Sequence, residues 1–326
     1  MTAAEEQALA ATGLTVIVPL YRSVEILPHL LERLEVALQA IGRPYEIILV
    51  NDASPDETWS RVRSELTQRP RMVALNMSRN YGQHNAILAA IRVARSPLIL
   101  TMDDDLQHPP EEIPRLIEAL TSDLDVVYGY PLHEERGLSR KWASRVTKLV
   151  LSRYMNVKVA EQVSAFRLFR TELREAFATY RGPFVNIDVL LTWGTSRFGA
   201  IRVRHSPRPV GRSTYSLGPL ITLALNLITG FSVLPLQMIS LVGIGMGLIG
   251  FLILLYVLGL YFVYGAPPPG FTLMASMIAI FSGVQMLALG IMGEYLWRMY
   301  YRVMDRPSYL VRDRIESSDA GRTDGV

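Results

Sequence analysis

A long run without a charged side chain, residues 215–293, constrains this chain more than any other feature. Within it, 236–263 and 271–293 are each long enough as helices to cross a hydrocarbon core of about 30 Å. They are separated by a Gly- and Pro-rich turn, 265–270. We predict two transmembrane helices within 235–297, preceded by an interfacial amphipathic helix at 216–234. A buried helix pair of a soluble protein is the alternative.

All 33 Lys and Arg residues lie outside this run, and arginines such as Arg298, Arg302 and Arg306 follow its second span. The positive-inside rule then places both termini in the cytoplasm and the hairpin in a bacterial-type inner membrane. Residues 298–326 would be a cytoplasmic tail. Neither span contains an ionisable residue, which argues against transport.

Composition excludes several other classes of function. The net charge of +3 is modest and the basic residues form no stripe with aromatics, so we expect no nucleic-acid partner. The chain has no cysteine, which excludes disulfides, cysteine zinc sites and a cysteine nucleophile. Residues 1–12 are polar and do not resemble a signal peptide.

Residues 1–215 alternate short apolar runs with segments of helical period. The runs that predict strands are 14–21, 45–50, 71–76, 97–101 and 125–130, and a short basic strand is expected at 201–207. The segments that predict helices are 23–42, 56–68, 81–94 and 110–121, and a further helix is expected after 166–170. This alternation predicts an α/β fold, with a mostly parallel sheet and helices on both faces.

Polar clusters follow four of these strands, at Tyr21, Asp52, 78–80 and 103–105. The carboxyl ends of parallel strands share one edge of a sheet, where ligands bind. Three adjacent acids repel one another, and hard oxygen ligands of this kind suit Mg²⁺ or Mn²⁺. The alternative is a solvated acidic turn.

The sequence also predicts a basic amphipathic helix at 138–155. Its charged face is either simply solvated or lies near anionic lipid headgroups.

Seven motifs, in order along almost the whole chain, resemble the polyisoprenyl-phosphate branch of the family-2 glycosyltransferases. That branch includes dolichol-phosphate mannose synthases, undecaprenyl-phosphate glucosyltransferases and undecaprenyl-phosphate aminoarabinose-type transferases. The motifs are Ile17–Tyr21, Val50–Ser54, Ser78–His84, Met102–Pro110, Ser164–Leu168, Gly211–Tyr215 and Gly293–Arg298. The segments 80–84 and 109–114 favour the aminoarabinose-type members.

The resemblance implies a GT-A, Rossmann-like fold and a nucleotide-sugar donor, either a UDP- or a GDP-sugar. It assigns metal binding to Asp103, Asp105 and Gln107. Nucleotide contacts fall on Pro19, Tyr21, Glu25, Asp52 and Asp103. It also implies a single displacement that inverts the anomeric carbon, and an oligomer. For Pro19 and Tyr21, ordinary packing at a strand end is the alternative.

A polyprenyl phosphate acceptor would explain the membrane anchor. Its phosphate, with a second pKa of about 6, is already an anionic nucleophile and needs little help from a base. Bringing two anions together requires arginines. The first candidates are Arg208 and Arg212, which we also count as catalytic, with Ser213 beside them. The next are Arg136, Arg140 and Arg167; a solvated surface arginine is the alternative for each.

Several positions depart from the family pattern. Where relatives usually have Asn-Glu-Glu after the first tyrosine, this chain has Arg22-Ser23-Val24-Glu25 and retains only Glu25, and Thr214 replaces a lysine of the acceptor motif. Tyr130-Pro131 stands where relatives often carry an arginine. Asp104 stands where relatives often have alanine, so we expect it to be dispensable for the metal.

We therefore predict a metal-dependent, inverting transferase that moves one sugar from a nucleotide-sugar to undecaprenyl phosphate or a similar lipid. A processive polysaccharide synthase is the nearest alternative, but it would need more spans and a Gln-x-x-Arg-Trp motif. A catalytically silent membrane scaffold with the same fold is the alternative from another class.

Overall fold

A computed structural model describes residues 12–131, 159, 162–182, 184–206, 234–264 and 270–317. The described residues form two compact units. The first contains residues up to 206 together with 306–317, and the second contains 234–305. The predicted helices at 138–155 and 216–234 lie outside the described residues.

The first unit contains one eight-stranded sheet. Its strands are β1 (Leu14–Leu20), β2 (Tyr45–Asn51), β3 (Met72–Met77), β4 (Leu98–Thr101), β5 (Val126–Pro131), β6 (Arg167–Arg170), β7 (Phe198–Val203) and β8 (Val311–Glu316). Their order across the sheet is β7-β5-β6-β4-β1-β2-β3-β8. Strands β4, β1, β2 and β3 are parallel neighbours, and β5 is parallel to β7. The predicted mostly parallel α/β sheet is confirmed.

Helices cover both faces of this sheet. They are α1 (Leu27–Ile41), α2 (Thr58–Gln68), α3 (Gln83–Val93), α4 (Ile113–Ala119) and α5 (Ile187–Gly194). Because side chains alternate along a strand, Val16 and Val18 of β1 join one core cluster with α1, whereas the equally buried Ile17 points to the opposite face. The sheet is therefore buried on both sides, which is why its strands are continuous apolar runs.

Two strands differ from the sequence expectation. Residues 167–170 form β6, which is antiparallel to both β4 and β5, instead of simply leading into a helix. Part of the expected tail forms β8, which is antiparallel to β3 at the sheet edge. Both strands pair with residues far away in the chain. The spacing of apolar residues within a segment does not predict such pairing.

The second unit contains two long helices, α6 (Leu234–Tyr264) and α7 (Phe271–Val303). Two segments, Pro235–Val263 and Ile280–Tyr301, are long and apolar enough to cross a membrane. The first agrees closely with the predicted span. Helix α7 continues beyond the predicted end at residue 293, through Glu294 and Arg298.

Candidate active site

The acidic loop, residues 103–107, begins directly where β4 ends. Met102 is buried, and its N–H donates to the carbonyl of Ile17 in β1, 3.1 Å away, which ties the start of the loop to the sheet. Leu106 adopts a left-handed backbone (φ 55°), and its side chain is buried. The N–H of Gln107 donates to Asp105 Oδ1 at 3.1 Å. These contacts turn the chain sharply and keep the aspartates at the edge of the sheet.

The pKa of Asp103 reflects both its burial and the two acids beside it. Burial, followed by the charges of Asp105 and Asp104, raises the pKa of Asp103 to about 7. The side-chain amide of Gln83 donates a hydrogen bond to the same carboxylate and acts in the opposite direction. A divalent cation would relieve this repulsion, so the donor set fits the expected metal.

The protein alone does not complete a metal-binding shell. Among the described residues, no three His, Asp or Glu side chains converge on one point. Mg²⁺ is commonly bound by one or two carboxylates together with substrate phosphates. Two aspartates and an amide oxygen at a sheet edge therefore fit an ion that is shared with a diphosphate.

The loops after β1, β2 and β4 each contain a residue with a left-handed backbone, namely Arg22, Ala53 and Leu106. Only five non-glycine residues among those described have this conformation, so three of the five lie at the carboxyl edge of the sheet. Such conformations cost about 1–3 kcal/mol and persist where the surroundings over-determine them. The strain marks this edge as a functional region.

Asp52 connects the loop after β2 to the loop after β3. Its two carboxylate oxygens accept from the N–H groups of Tyr81 and Gly82, each at 2.8 Å. Burial raises the pKa of Asp52, and these two hydrogen bonds partly offset the effect. The predicted nucleotide-binding acid is thus also a structural tie, although each oxygen retains a lone pair for a ligand.

The other predicted nucleotide residues lie along β1 and the loop that follows it. Pro19 is buried within β1, opposite Val50 of β2. Tyr21 is 46% exposed, and Glu25 is also exposed. Tyr21 and Glu25 are therefore accessible, whereas Pro19 is packed inside the sheet. Their roles remain predictions.

Residues 204–206, which follow β7, pack along the acidic loop and the turn after it. The N–H of Ser206 donates to the carbonyl of Gln107 at 2.9 Å. Arg204 donates to the fully buried Glu112 at 2.6 Å, and Arg115 binds the same carboxylate. Burial raises the pKa of Glu112, but the hydrogen bonds from Arg204 and Arg115 outweigh it and leave that pKa lowered.

An aromatic stack strengthens the same junction. The His108 ring stacks on Phe166 and meets His205 edge-on, with both centroid distances 5.3 Å. Burial, and then the neighbouring His205, lower the pKa of His108 to about 4. His108 is therefore neutral at physiological pH, which lets the two imidazoles lie in contact.

Arg167 occupies a different place from the one expected for a phosphate ligand. It is 1% exposed, forms an ion pair with Asp188 at the start of α5, and donates to Thr101 at 3.0 Å. The hydroxyl of Tyr128 donates to the same Asp188 at 3.0 Å. Burial lowers the pKa of the adjacent His84 to about 4, so it is neutral here. Arg167 therefore binds protein partners in the core, and we no longer assign it to the phosphate site.

This buried network was missed in the sequence, although a signal exists. Arg167 stands inside the apolar run 166–169 and Asp188 inside the apolar run 187–191. A charge that is flanked by core residues on both sides needs a buried partner of opposite sign. The two segments could have been paired on that ground.

The remaining predicted site residues, Arg136, Arg140, Arg208, Arg212 and Ser213, lie outside the described residues, as does Thr214. The described segment before them ends at Ser206. Ser206 lies two residues before Arg208 and is hydrogen-bonded to the acidic loop.

The chain was compared with known proteins. It is 38% identical over 301 residues to an undecaprenyl-phosphate 4-deoxy-4-formamido-L-arabinose transferase of Pseudomonas paraeruginosa, covering 91% of this chain and 88% of that protein. A protein of the same name from Yersinia enterocolitica is 35% identical over 302 residues, covering 91% and 92%. Mannosyl-3-phosphoglycerate synthase from Rubrobacter xylanophilus shares the fold, with a TM-score of 0.50, 14% identity and coverage of 69% and 75%.

Residues 15–177, from β1 to the short helical turn after β6, match the family described as glycosyl transferase family 2. Those residues include the acidic loop and the loops after β1, β2 and β3. Together with the full-length relatives, this match shows that the chain belongs to glycosyl transferase family 2.

Proposed function

We propose that this glycosyltransferase transfers a single sugar from a nucleotide-sugar to undecaprenyl phosphate or a closely similar polyprenyl phosphate. The observation that carries the proposal is the junction of residues 204–206 with the acidic loop. There the N–H of Ser206, two residues before Arg208, donates to the carbonyl of Gln107, and Arg204 pairs with Glu112. The relatives named above support the same lipid acceptor.

On the donor side, Asp103 and Asp105 would hold Mg²⁺ or Mn²⁺, with the Gln107 side chain as a further oxygen donor. The ion, when bound, would neutralise the diphosphate and stabilise it as a leaving group. Tyr21 and Glu25, which are exposed on the loop after β1, would contact the base and ribose. Asp52 would hold the neighbouring loop in register.

On the acceptor side, Arg208 and Arg212, with Ser213, would bind the lipid phosphate next to the donor diphosphate. Arg136 and Arg140 are the second candidates. Arginines offset the repulsion between the two anions and hold them in line. Because the phosphate is already ionised, a single displacement with inversion needs no strong general base.

The sheet topology supports a membrane hairpin. Strand β8 follows α7 in the chain and pairs with β3 of the same sheet that the chain builds before α6. If α6 and α7 both cross a membrane, the chain must return to the side it left. We place that side in the cytoplasm of a bacterial-type inner membrane, because arginines flank the spans there.

The sugar is best sought among amino-pentose derivatives. The relatives named above carry 4-deoxy-4-formamido-L-arabinose in their names. The proposed test supplies membranes, Mg²⁺ or Mn²⁺ and a panel of labelled nucleotide-sugars that includes this one. We expect a labelled lipid in the chloroform phase. If no donor gives this product, the proposal fails.

Asp105→Asn tests the metal role. The substitution keeps the size of the side chain but removes the charge, so we expect transfer to fall by at least about 10²-fold, as for loss of a key electrostatic group. The matched control is Asp123→Asn, an exposed aspartate after α4, which should keep wild-type activity. Size-exclusion profiles should be unchanged for both proteins. Wild-type turnover by Asp105→Asn would remove the assigned metal role.

The same assay separates the alternatives. A processive synthase would give a polymer whose length grows with donor concentration, whereas the proposed enzyme gives one sugar per lipid. A silent scaffold would give no product with any donor, although the protein would still be folded.

A further inference from the structure

We propose that Asp104 and Ser23 form a latch that positions Tyr21 against the nucleotide. The Asp104–Ser23 latch rests on the proposed function, because it assumes that the loop after β1 contacts the donor. It gives Asp104 a positioning role that is distinct from metal binding by Asp103 and Asp105.

The latch consists of hydrogen bonds between two loops that lie about 80 residues apart. The Ser23 hydroxyl donates to Asp104 Oδ2 and accepts from the N–H of Tyr21 at 3.0 Å. The backbone N–H of Tyr21 also lies close to the Asp104 carboxylate. Ser23 is 1% exposed, so its hydroxyl has little access to water as a replacement partner.

Hydroxyl groups hold three consecutive backbone amides of this loop. The N–H of Tyr21 donates to Ser23, that of Arg22 to Ser54 at 3.1 Å, and that of Ser23 to Thr58 at 2.9 Å. Thr58 in turn donates to an aspartate of the loop after β2. The loops after β1, β2 and β4 are thus connected through one short segment.

The backbone of that segment is strained. Arg22 has φ 59°, a left-handed conformation that non-glycine residues rarely adopt. A strained residue persists only where its neighbours enforce it. The latch holds the backbone N–H of Tyr21, which precedes Arg22. Ser54 and Thr58 hold the N–H groups of Arg22 and Ser23.

The orientation of Asp104 also separates it from its neighbours. Its carboxylate accepts from Ser23, so it faces the loop after β1. Asp103 instead accepts from Gln83, at the start of α3. The position of the Tyr21 backbone therefore depends on that of the acidic loop, through Asp104 and Ser23.

The test is a double-mutant cycle on the full chain in detergent, with Ser23→Ala, Asp104→Ala and the two combined. We expect each single variant to raise KM for the nucleotide-sugar about tenfold with kcat changed less than about twofold, since one hydrogen bond to a charged group is lost. The double variant should be no worse than either single one, because both changes break the same contact. Ser60→Ala, which removes an exposed hydroxyl in α2, should leave KM unchanged.

Asp104→Asn distinguishes positioning from metal binding. An amide oxygen can still accept from Ser23, so this variant should keep KM and the Mg²⁺ concentration for half-activation close to wild type. Each variant should remain folded and monodisperse by circular dichroism and size-exclusion chromatography, so that a change in KM reports positioning and not loss of fold.

Three results would overturn the latch. They are a loss of turnover in Asp104→Asn like that expected for Asp105→Asn, additive effects in the cycle, or an unchanged KM in both alanine variants. A wild-type protein that transfers no sugar would remove the proposed function and the latch together. An active wild type with unaffected variants would remove the latch alone.

Discussion

The three adjacent aspartates after β4 each have a different neighbour. Asp103 accepts from Gln83, Asp104 from Ser23, and Asp105 from the N–H of Gln107. Asp104 and Ser23 are partners across two loops. The three acids are therefore not interchangeable, and a substitution at each should give a different kinetic defect.

The buried ion pair between Arg167 and Asp188 explains why β6 can carry an arginine in the core. Two charges that leave water together are tolerable only when they are paired and hydrogen-bonded. Thr101 and Tyr128 supply the additional hydrogen bonds. The pair joins β6 to the start of α5, and Arg167 also binds Thr101, two residues before the acidic loop.

We predict that Asp188→Ala destabilises the protein by about 3–5 kcal/mol, because it leaves a buried guanidinium without its partner. The matched control is Glu111→Ala, which breaks the exposed pair with Arg33 and should cost less than about 1 kcal/mol. Chemical denaturation in detergent measures both. The double change Arg167→Met with Asp188→Leu should recover much of the loss. Equal effects of Asp188→Ala and Glu111→Ala would contradict the prediction.

Strand β8 closes the edge of the sheet next to the candidate nucleotide loops. It pairs with β3 from Val73 to Met77, and the carbonyl of Leu310 accepts from the N–H of Ser78, just after β3, at 2.9 Å. Asp313 accepts from the side chain of Asn76 at 2.8 Å. Without β8, the N–H and C=O groups along one side of β3 would lose their partners.

We therefore predict that truncation after Asp305 lowers the unfolding temperature of the protein by several degrees and weakens nucleotide binding. Truncation after Ser317 removes only residues beyond β8 and serves as the control. Thermal unfolding and nucleotide titration of the detergent-solubilised proteins check both effects. If both truncations behave alike, β8 does not stabilise the edge.

The chain as a whole builds one sheet from two separated stretches. It leaves the sheet after β7, forms α6 and α7, and returns to add β8. The two apolar helices are thus an insertion within the transferase fold. If they cross a membrane, that arrangement requires residues before α6 and after α7 to lie on the same side.

Cysteine labelling tests this topology. Because the sequence contains no cysteine, only the introduced residue can react with the label. We predict that Asp123→Cys and Ser318→Cys react with an impermeant maleimide only after cells are opened. Pro268→Cys, between α6 and α7 in the sequence, should react in cells whose outer membrane alone is permeable. Labelling of positions 123 and 318 from opposite sides would rule out the hairpin.

Much of the fold and the location of the site could be predicted from the chain. Continuous apolar runs predicted β1 to β5, and the polar residues after four of them predicted the edge where Asp52 and the acidic loop lie. The strands could be predicted because a buried strand needs a local run of apolar residues. The site edge could be predicted because parallel strands share one direction, so the residues after them meet at one edge. The uncharged run likewise predicted α6 and α7.

Contacts between distant segments were beyond such reasoning. The strands β6 and β8, the pairing of Arg167 with Asp188 and the link from Ser23 to Asp104 all join segments with no shared local pattern. Composition and period in the amino-acid sequence establish which segments are buried and which end of each strand is polar. Which particular charge or hydroxyl meets which partner depends on packing in three dimensions, because hydrogen bonds and ion pairs require atoms to come within about 3 Å of each other.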